Sequence, residues 1–168
     1  MAKPNRSSIR ESGPIKTERE KKEFVSGKEG LVICPDCKAV YYKKSWHHDT
    51  LHFEGRENMP VAFELCPADQ MMKNKQYEGK IIVKNVPKEL EGEMTNLIKN
   101  AGEQAYEKDP MHRLISVGKV GDELIVLTTE NEMAASIARK IGDAHNKAKV
   151  KISFKADPSD VCLAVVEF

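Results

Sequence analysis

Apolar residues recur with two different periods along residues 79–168. In two stretches they return every three to four positions, which predicts two helices, each with one buried face. The buried face of the first is predicted to hold Leu90, Met94, Leu97, Ile98, Ala101 and Ala105, and that of the second Met133, Ile137, Ile141 and Ala144. Alternating or continuous apolar runs predict strands in KIIVKNV (80–86), HRLISVGKV (112–120), ELIVLTT (123–129), KVKISFKA (149–156) and VCLAVVEF (161–168). The predicted fold of this half is a ferredoxin-like β-α-β-β-α-β-β module, within a protein of the α+β class.

Local signals refine this half of the chain. Gly121-Asp122 predicts a hairpin turn, and Thr129 followed by Glu132 predicts a capping box at the start of the second helix. In the strand KVKISFKA, alternation directs one set of side chains inward, namely Val150, Ile152 and Phe154. The outward set is Lys149, Lys151, Ser153 and Lys155.

The pattern is different before residue 79, where the apolar runs are short. Short strands are predicted in three of these runs, LVI (31–33), AVYYKKSW (39–46) and VAFEL (61–65). We predict that residues 31–78 form a zinc-ribbon-like module. Residues 1–30 are poor in large apolar side chains and are predicted to be a flexible basic tail. We therefore expect three parts: the tail, the ribbon-like module, and an α/β module over 79–168.

Composition adds two constraints. Lys and Arg outnumber Asp and Glu by 27 to 26, so the net charge gives no indication of what the protein binds. No apolar run is long enough to span a membrane and the N-terminus lacks the apolar core of a secretory signal, so we expect a cytoplasmic protein. Four cysteines in that compartment indicate metal or redox chemistry rather than structural disulfides, although Cys162 lies in an apolar run and predicts a buried packing residue.

The remaining three cysteines and one aspartate occupy two pairs of positions with the same spacing. Cys34 and Cys37 have the C-P-x-C spacing that supplies two zinc ligands from one tight turn, and Cys66 begins a second such pattern with Asp69 in place of its second cysteine. We predict one structural zinc ion held by Cys34, Cys37, Cys66 and Asp69. His52, in the intervening segment, is the alternative fourth ligand, and loss of the metal with a residual fold stays open as well.

Enzymatic interpretations of the same residues are weaker. A thioredoxin-like dithiol needs its first cysteine at a helix N-terminus, whereas strand-forming residues follow Cys37. His52 and Glu54 mimic the start of the zinc-deaminase pattern, but Asp69 breaks its second half. A metal- or thiol-dependent enzyme that uses Cys34, Cys37 and Cys66 is therefore the alternative function.

Two groups of residues are candidates for nucleic-acid binding. One is the lysine row on a strand face, Lys149, Lys151 and Lys155, which is also compatible with an ordinary solvated surface. The other combines lysines with aromatic rings that can stack on bases or form the small core of the module: Tyr42, Lys43, Lys44 and Trp46.

A resemblance to a known protein family rests on three segments, CPDCKAVYYKKSW, CPAD and VLTTENEMAASIARKIGDA. Over about residues 31–156 the chain resembles a family of small prokaryotic zinc-ribbon proteins, which are similar in turn to the N-terminal region of the large-ribosomal-subunit nuclear export adaptor. The resemblance implies a non-enzymatic role in binding RNA or the ribosome. Independently of the resemblance, a protein partner is a further option. The chain departs from the family pattern at Asp69, where the family has cysteine.

Overall fold

The computed structural model describes residues 30–48, 58–155 and 160–168. In these ranges the protein is α+β, with two mixed sheets and three α-helices. The first group of elements is β1 (Leu31–Ile33), β2 (Val40–Tyr42), β3 (Ser45–His47), β4 (Val61–Phe63) and α1 (Pro67–Lys73). The second is β5 (Gly79–Lys84), a 3₁₀ turn (Lys88–Leu90), α2 (Glu91–Lys108), β6 (Leu114–Val120), β7 (Glu123–Thr128), α3 (Asn131–Ala144), β8 (Lys149–Lys155) and β9 (Val161–Glu167).

The first sheet is small and has little apolar material behind it. Its strand order is β3-β2-β1-β4, with β1 antiparallel to β2 and parallel to β4. Its buried aliphatic residues are Leu31, Val32 and Val40, and Ile33, Tyr42 and Met59 pack against Leu31 and Val40. So small a core is a weak source of stability for a module of this size.

The second sheet carries the main core. Its order is β6-β7-β5-β9-β8, and the C-terminal strand β9 lies between β5 and β8, parallel to β5. Alternate residues of β5 and β9 face the two long helices, where Met94, Ile98, Ile137 and Ile141 are buried against them. Cys162 is one of these core residues and is fully buried, as its sequence context predicts.

Two local expectations, the capping box and the burial of Ala144, are wrong, and the expectation for Phe154 holds only in part. The residue before α3 is Glu130, whose side chain makes no cap hydrogen bond, so there is no capping box. The Thr129 hydroxyl instead donates to the Met111 carbonyl at 2.7 Å and accepts from the Arg113 amide at 2.8 Å, which ties it to the segment before β6. Phe154 lies on the predicted inner side of the sheet, across from the buried Cys162, but it is 50% exposed because it is near the end of edge strand β8. Ala144 is exposed at the last position of α3.

The length and hydropathy of the helices in the described residues were compared with those of membrane-spanning helices. None of them combines the length and the apolar character needed to cross a bilayer.

Candidate metal centre

The first pair of candidate ligands lies on a tight turn after β1. The Cys34 amide donates to the Ala39 carbonyl at 2.8 Å, and the Lys38 amide donates to the Cys34 carbonyl at 3.0 Å. Lys38 closes the turn with a φ of 65°, in the left-handed region. The turn buries Cys34 fully and leaves Cys37 partly exposed, with both side chains in one cluster.

The second pair is presented by a helix. Cys66 is the N-cap residue of α1, and Pro67 occupies the first turn, where its missing N–H costs nothing. The Cys66 sulfur accepts from the Asp69 amide at 3.4 Å, so the cap itself holds Cys66 and Asp69 on the same side of the helix start. The spacing C-P-x-D therefore brings two donors together through a helical turn.

The four donors converge on one point. The donor atoms of Cys34, Cys37, Cys66 and Asp69 all lie within 4.8 Å of one another. Asp69 Oδ2 is 3.1 Å from the sulfurs of both Cys34 and Cys66, and the sulfurs of Cys37 and Cys66 are 3.6 Å apart. Three cysteines and one aspartate in this arrangement could hold a metal ion.

Burial and hydrogen bonds shift the pKa values of three side chains in the cluster. Burial raises the pKa of the Cys66 thiol, and burial together with the Asp69 hydrogen bond raises the pKa of Cys37. Burial also works to raise the pKa of Asp69, but thiol hydrogen bonds and the nearby Arg113 charge outweigh it, so the Asp69 pKa is lowered. The carboxylate thus accepts hydrogen bonds from the neutral thiols of Cys37 and Cys66, and a bound cation would replace the protons of these two thiols.

Residues of the α/β module complete the surroundings of the cluster. Met111 packs against it, and Arg113 Nη1 lies 3.9 Å from Asp69 Oδ1, with side chains that are 17% and 10% exposed. Sequence reasoning missed Arg113, because nothing in the local pattern around it indicates a contact with a residue so distant along the chain. The partner of the carboxylate is visible only after the two modules have packed.

The lysines predicted on β8 do share an exposed face of the second sheet. Lys149, Lys151 and Lys155 are exposed, and their strand register aligns them with alternate residues of β9. The β5–β9 register adds Lys80 and Lys84 to this face, opposite the helices. Sequence reasoning missed these two, although their spacing in KIIVK already places both on one side of a strand.

The aromatic candidates lie on opposite sides of the β2–β3 hairpin. Trp46 pairs across the strands with Tyr41, at 5.3 Å between ring centroids, and packs against the cysteine cluster. Tyr42 packs instead against Leu31 and Val40, and the Lys43 ammonium lies 5.5 Å from its ring centroid. Both rings are half-buried and contribute to small cores, whereas Lys43 and Lys44 are exposed at the hairpin tip.

Two predictions fall on residues that the structure does not describe. His52 lies in 49–57, and the predicted basic tail corresponds almost entirely to 1–29. Both stay predictions.

The chain was compared with known proteins on three levels. No protein-family model, no curated protein and no solved structure matches it. The resemblance to zinc-ribbon proteins therefore stays a prediction from the quoted motifs.

Proposed function

We propose that the N-terminal module is zinc-ribbon-like and binds one structural zinc ion through Cys34, Cys37, Cys66 and Asp69. The support is the donor set itself, because zinc accepts both thiolate sulfur and a carboxylate oxygen in tetrahedral sites. Thiolates favour zinc over magnesium or calcium, which prefer oxygen ligands. Four protein donors fill such a site, so its role in the proposal is stability rather than catalysis.

The alternative of a thiol-dependent enzyme has less support. Cys34 and Cys66 are fully buried, and the thiolate that would act as a nucleophile is disfavoured where burial raises the pKa, as it does at Cys66. A structural metal, by contrast, makes use of buried donors. Native mass spectrometry of the full chain is expected to show one zinc per molecule that a chelator removes, and a folded chain without affinity for zinc would overturn this assignment.

The function that the surface supports best is binding to RNA or to a ribosomal RNA surface. The observation that carries it is the alignment of five lysines on the sheet face opposite the helices: Lys80, Lys84, Lys149, Lys151 and Lys155. Two acids share the face, Glu123 in an ion pair with Lys84 at 3.1 Å and Glu167 across from Lys149, so positive charge remains in excess. The excess of positive charge on this face can attract the negatively charged phosphate backbone.

The centre of this face is aliphatic rather than aromatic. Ile82, Ile125, Leu127, Leu163 and Val165 lie there half-buried, and no residue of β5, β7, β8 or β9 on this side is aromatic. Base stacking on the sheet is therefore not expected. Binding through phosphates alone positions a nucleic acid without selecting its sequence.

The test compares two triple substitutions with the same change in charge. K149E/K151E/K155E reverses three lysines on the open sheet face, and the control K99E/K108E/K140E reverses three exposed lysines on helices α2 and α3. We expect the first to weaken binding to ribosomes and to bulk RNA over a salt series, reducing the salt slope by about one per lost lysine contact. The control should weaken it far less, because its lysines lie on the other side of the sheet.

Equal losses from the two triple variants would indicate only a general charge effect. Absence of RNA binding by the unmodified chain at low salt would overturn the proposal and favour a protein partner.

A further inference from the structure

The two oxygens of Asp69 face different groups. Oδ2 lies 3.1 Å from the sulfurs of Cys34 and Cys66, at the centre of the donor cluster. Oδ1 lies 3.9 Å from Arg113 Nη1, which is within ion-pair range but longer than a direct hydrogen bond. The carboxylate thus has one oxygen for a metal ion and one for a fixed positive charge.

Arg113 is held firmly by its own module. Its Nε donates to the Pro110 carbonyl at 2.9 Å, and its guanidinium carbon lies 4.4 Å from the centroid of the Tyr106 ring. Its backbone amide donates to the Thr129 hydroxyl at 2.8 Å. Nη2 is buried and has no hydrogen-bond partner within the described ranges, so the guanidinium retains donor capacity beside the site.

We propose that Arg113 is a positioning residue for the metal centre, which holds Asp69 through Oδ1 so that Oδ2 alone is directed at the ion. This inference rests on the zinc site proposed above. Outer partners of this kind fix the orientation of a metal-binding carboxylate. They also make the affinity of the N-terminal cluster depend on a residue of the α/β module.

The same geometry explains why aspartate suits position 69. From ligand chemistry alone, D69C restores a soft fourth thiolate and should tighten zinc binding. A thiolate has a single donor atom, however, and cannot serve the ion and Arg113 at once. D69C would therefore leave a nearly buried guanidinium without its carboxylate partner, which is costly.

A double-mutant cycle on the full chain tests the coupling. Zinc affinity is measured by competition with a chromophoric chelator for the unmodified chain, R113M, D69C and D69C/R113M. Methionine keeps much of the length of arginine and removes its charge. We expect R113M to weaken zinc binding roughly 10- to 100-fold when residue 69 is aspartate, and to leave it unchanged or tighter when residue 69 is cysteine.

A purely structural role of Arg113, through packing on Tyr106, would instead lower zinc affinity by the same factor in both backgrounds, and that result overturns the inference. R113K, which retains the charge, is expected to recover most of the affinity lost in R113M. The visible absorption of bound Co²⁺, which responds to ligand geometry, should shift in R113M and return towards the original in R113K. An unshifted Co²⁺ spectrum in R113M counts against the inference.

Failure of the inference and failure of the zinc site have different signatures. If the unmodified chain binds zinc and R113M binds it equally well, only the role of Arg113 is overturned. If the unmodified chain binds neither Zn²⁺ nor Co²⁺, the zinc site and the role of Arg113 are both wrong. Circular dichroism of each variant establishes that the loss of affinity does not come from unfolding.

Discussion

Cys66 and Cys162 are both fully buried, yet their neighbours give them different chemistry. Cys66 lies 3.1 Å from Asp69 Oδ2 and beside two other sulfurs, so it belongs to a set of donors. Cys162 lies among the aliphatic residues of the main core, where burial raises its thiol pKa and keeps it neutral. Burial alone therefore does not identify a ligand, whereas the surrounding donors do.

This contrast gives a matched pair of alanine variants. C66A is expected to lose the zinc ion and the thermal stabilisation that added zinc provides, because three donors remain and one of them is the weaker carboxylate. C162A should keep one zinc per chain and lose on the order of 1 kcal/mol of stability through a small core cavity. Native mass spectrometry and melting curves with and without zinc measure both effects, and a C66A chain that retains one tightly bound zinc would contradict the ligand assignment.

At the scale of elements, the β2–β3 hairpin places its two lysines in an unusual conformation. Tyr42 pairs with Ser45, so Lys43 and Lys44 form a two-residue turn, with φ values of 48° and 68°. Positive φ at both central positions is what a type I′ turn requires, and Asn-Gly satisfies it with the least strain. Two lysines at these positions cost stability and put two charges at an exposed tip.

K43N/K44G separates these two consequences. The substitution should raise the free energy of unfolding by about 1 kcal/mol, because it relieves the left-handed strain. If the tip contacts phosphates, it should also weaken RNA binding and lower the salt slope by about one for each lysine. Denaturant titration and RNA titration are the measurements. A more stable variant with unaltered RNA affinity at every salt concentration would remove the hairpin tip from the proposed interface.

Helix α1 shows how an element can be missed although its signals are present. The motif C-P-x-D predicts a second turn like the one at Cys34, because the two segments begin alike. The same segment also carries a helix start, because Pro67 suits a first helical turn and residues that favour helices follow it. The similarity to the turn at Cys34 hides this second signal. The donors of the second pair were nevertheless predicted correctly as neighbours, since a turn and a helix start both bring positions three apart together.

The whole molecule combines two cores of very different size. The first sheet buries Leu31, Val32 and Val40, whereas fifteen buried residues form the core between the second sheet and its helices. The smaller core cannot supply much stability, so a bound metal would contribute most of the folding free energy of the first module. Stability should then be distributed unevenly along the chain.

Removal of the metal tests this distribution. After treatment with a chelator, amide hydrogens in 30–48 and 58–73 should exchange much faster, while those of the strands and helices between 79 and 155 stay protected. Hydrogen exchange with mass spectrometry measures both regions in one experiment. A uniform loss of protection in both modules, or no change in the first, would contradict the expected independence of the larger core.

The sequence by itself determined the helices and strands of the second half and the faces they bury, because side-chain periodicity reports locally which positions meet the core. It placed Met94, Ile98, Ile137 and Ile141 correctly on the helix–sheet interface. It also selected the three cysteines and Asp69 from their spacing, since positions three apart meet within a single turn. The contact within each pair of donors is a short-range property for which a local pattern is sufficient, whereas the fold brings the two pairs together.

Only the tertiary structure decided which distant segments meet. The insertion of β9 between β5 and β8 depends on how the whole sheet assembles, and it is this insertion that aligns Lys80 and Lys84 with the lysines of β8. The approach of Arg113 to Asp69 likewise follows from the packing of one module on the other. No periodicity records such contacts, because their free energy comes from surfaces that are separate until the chain has folded.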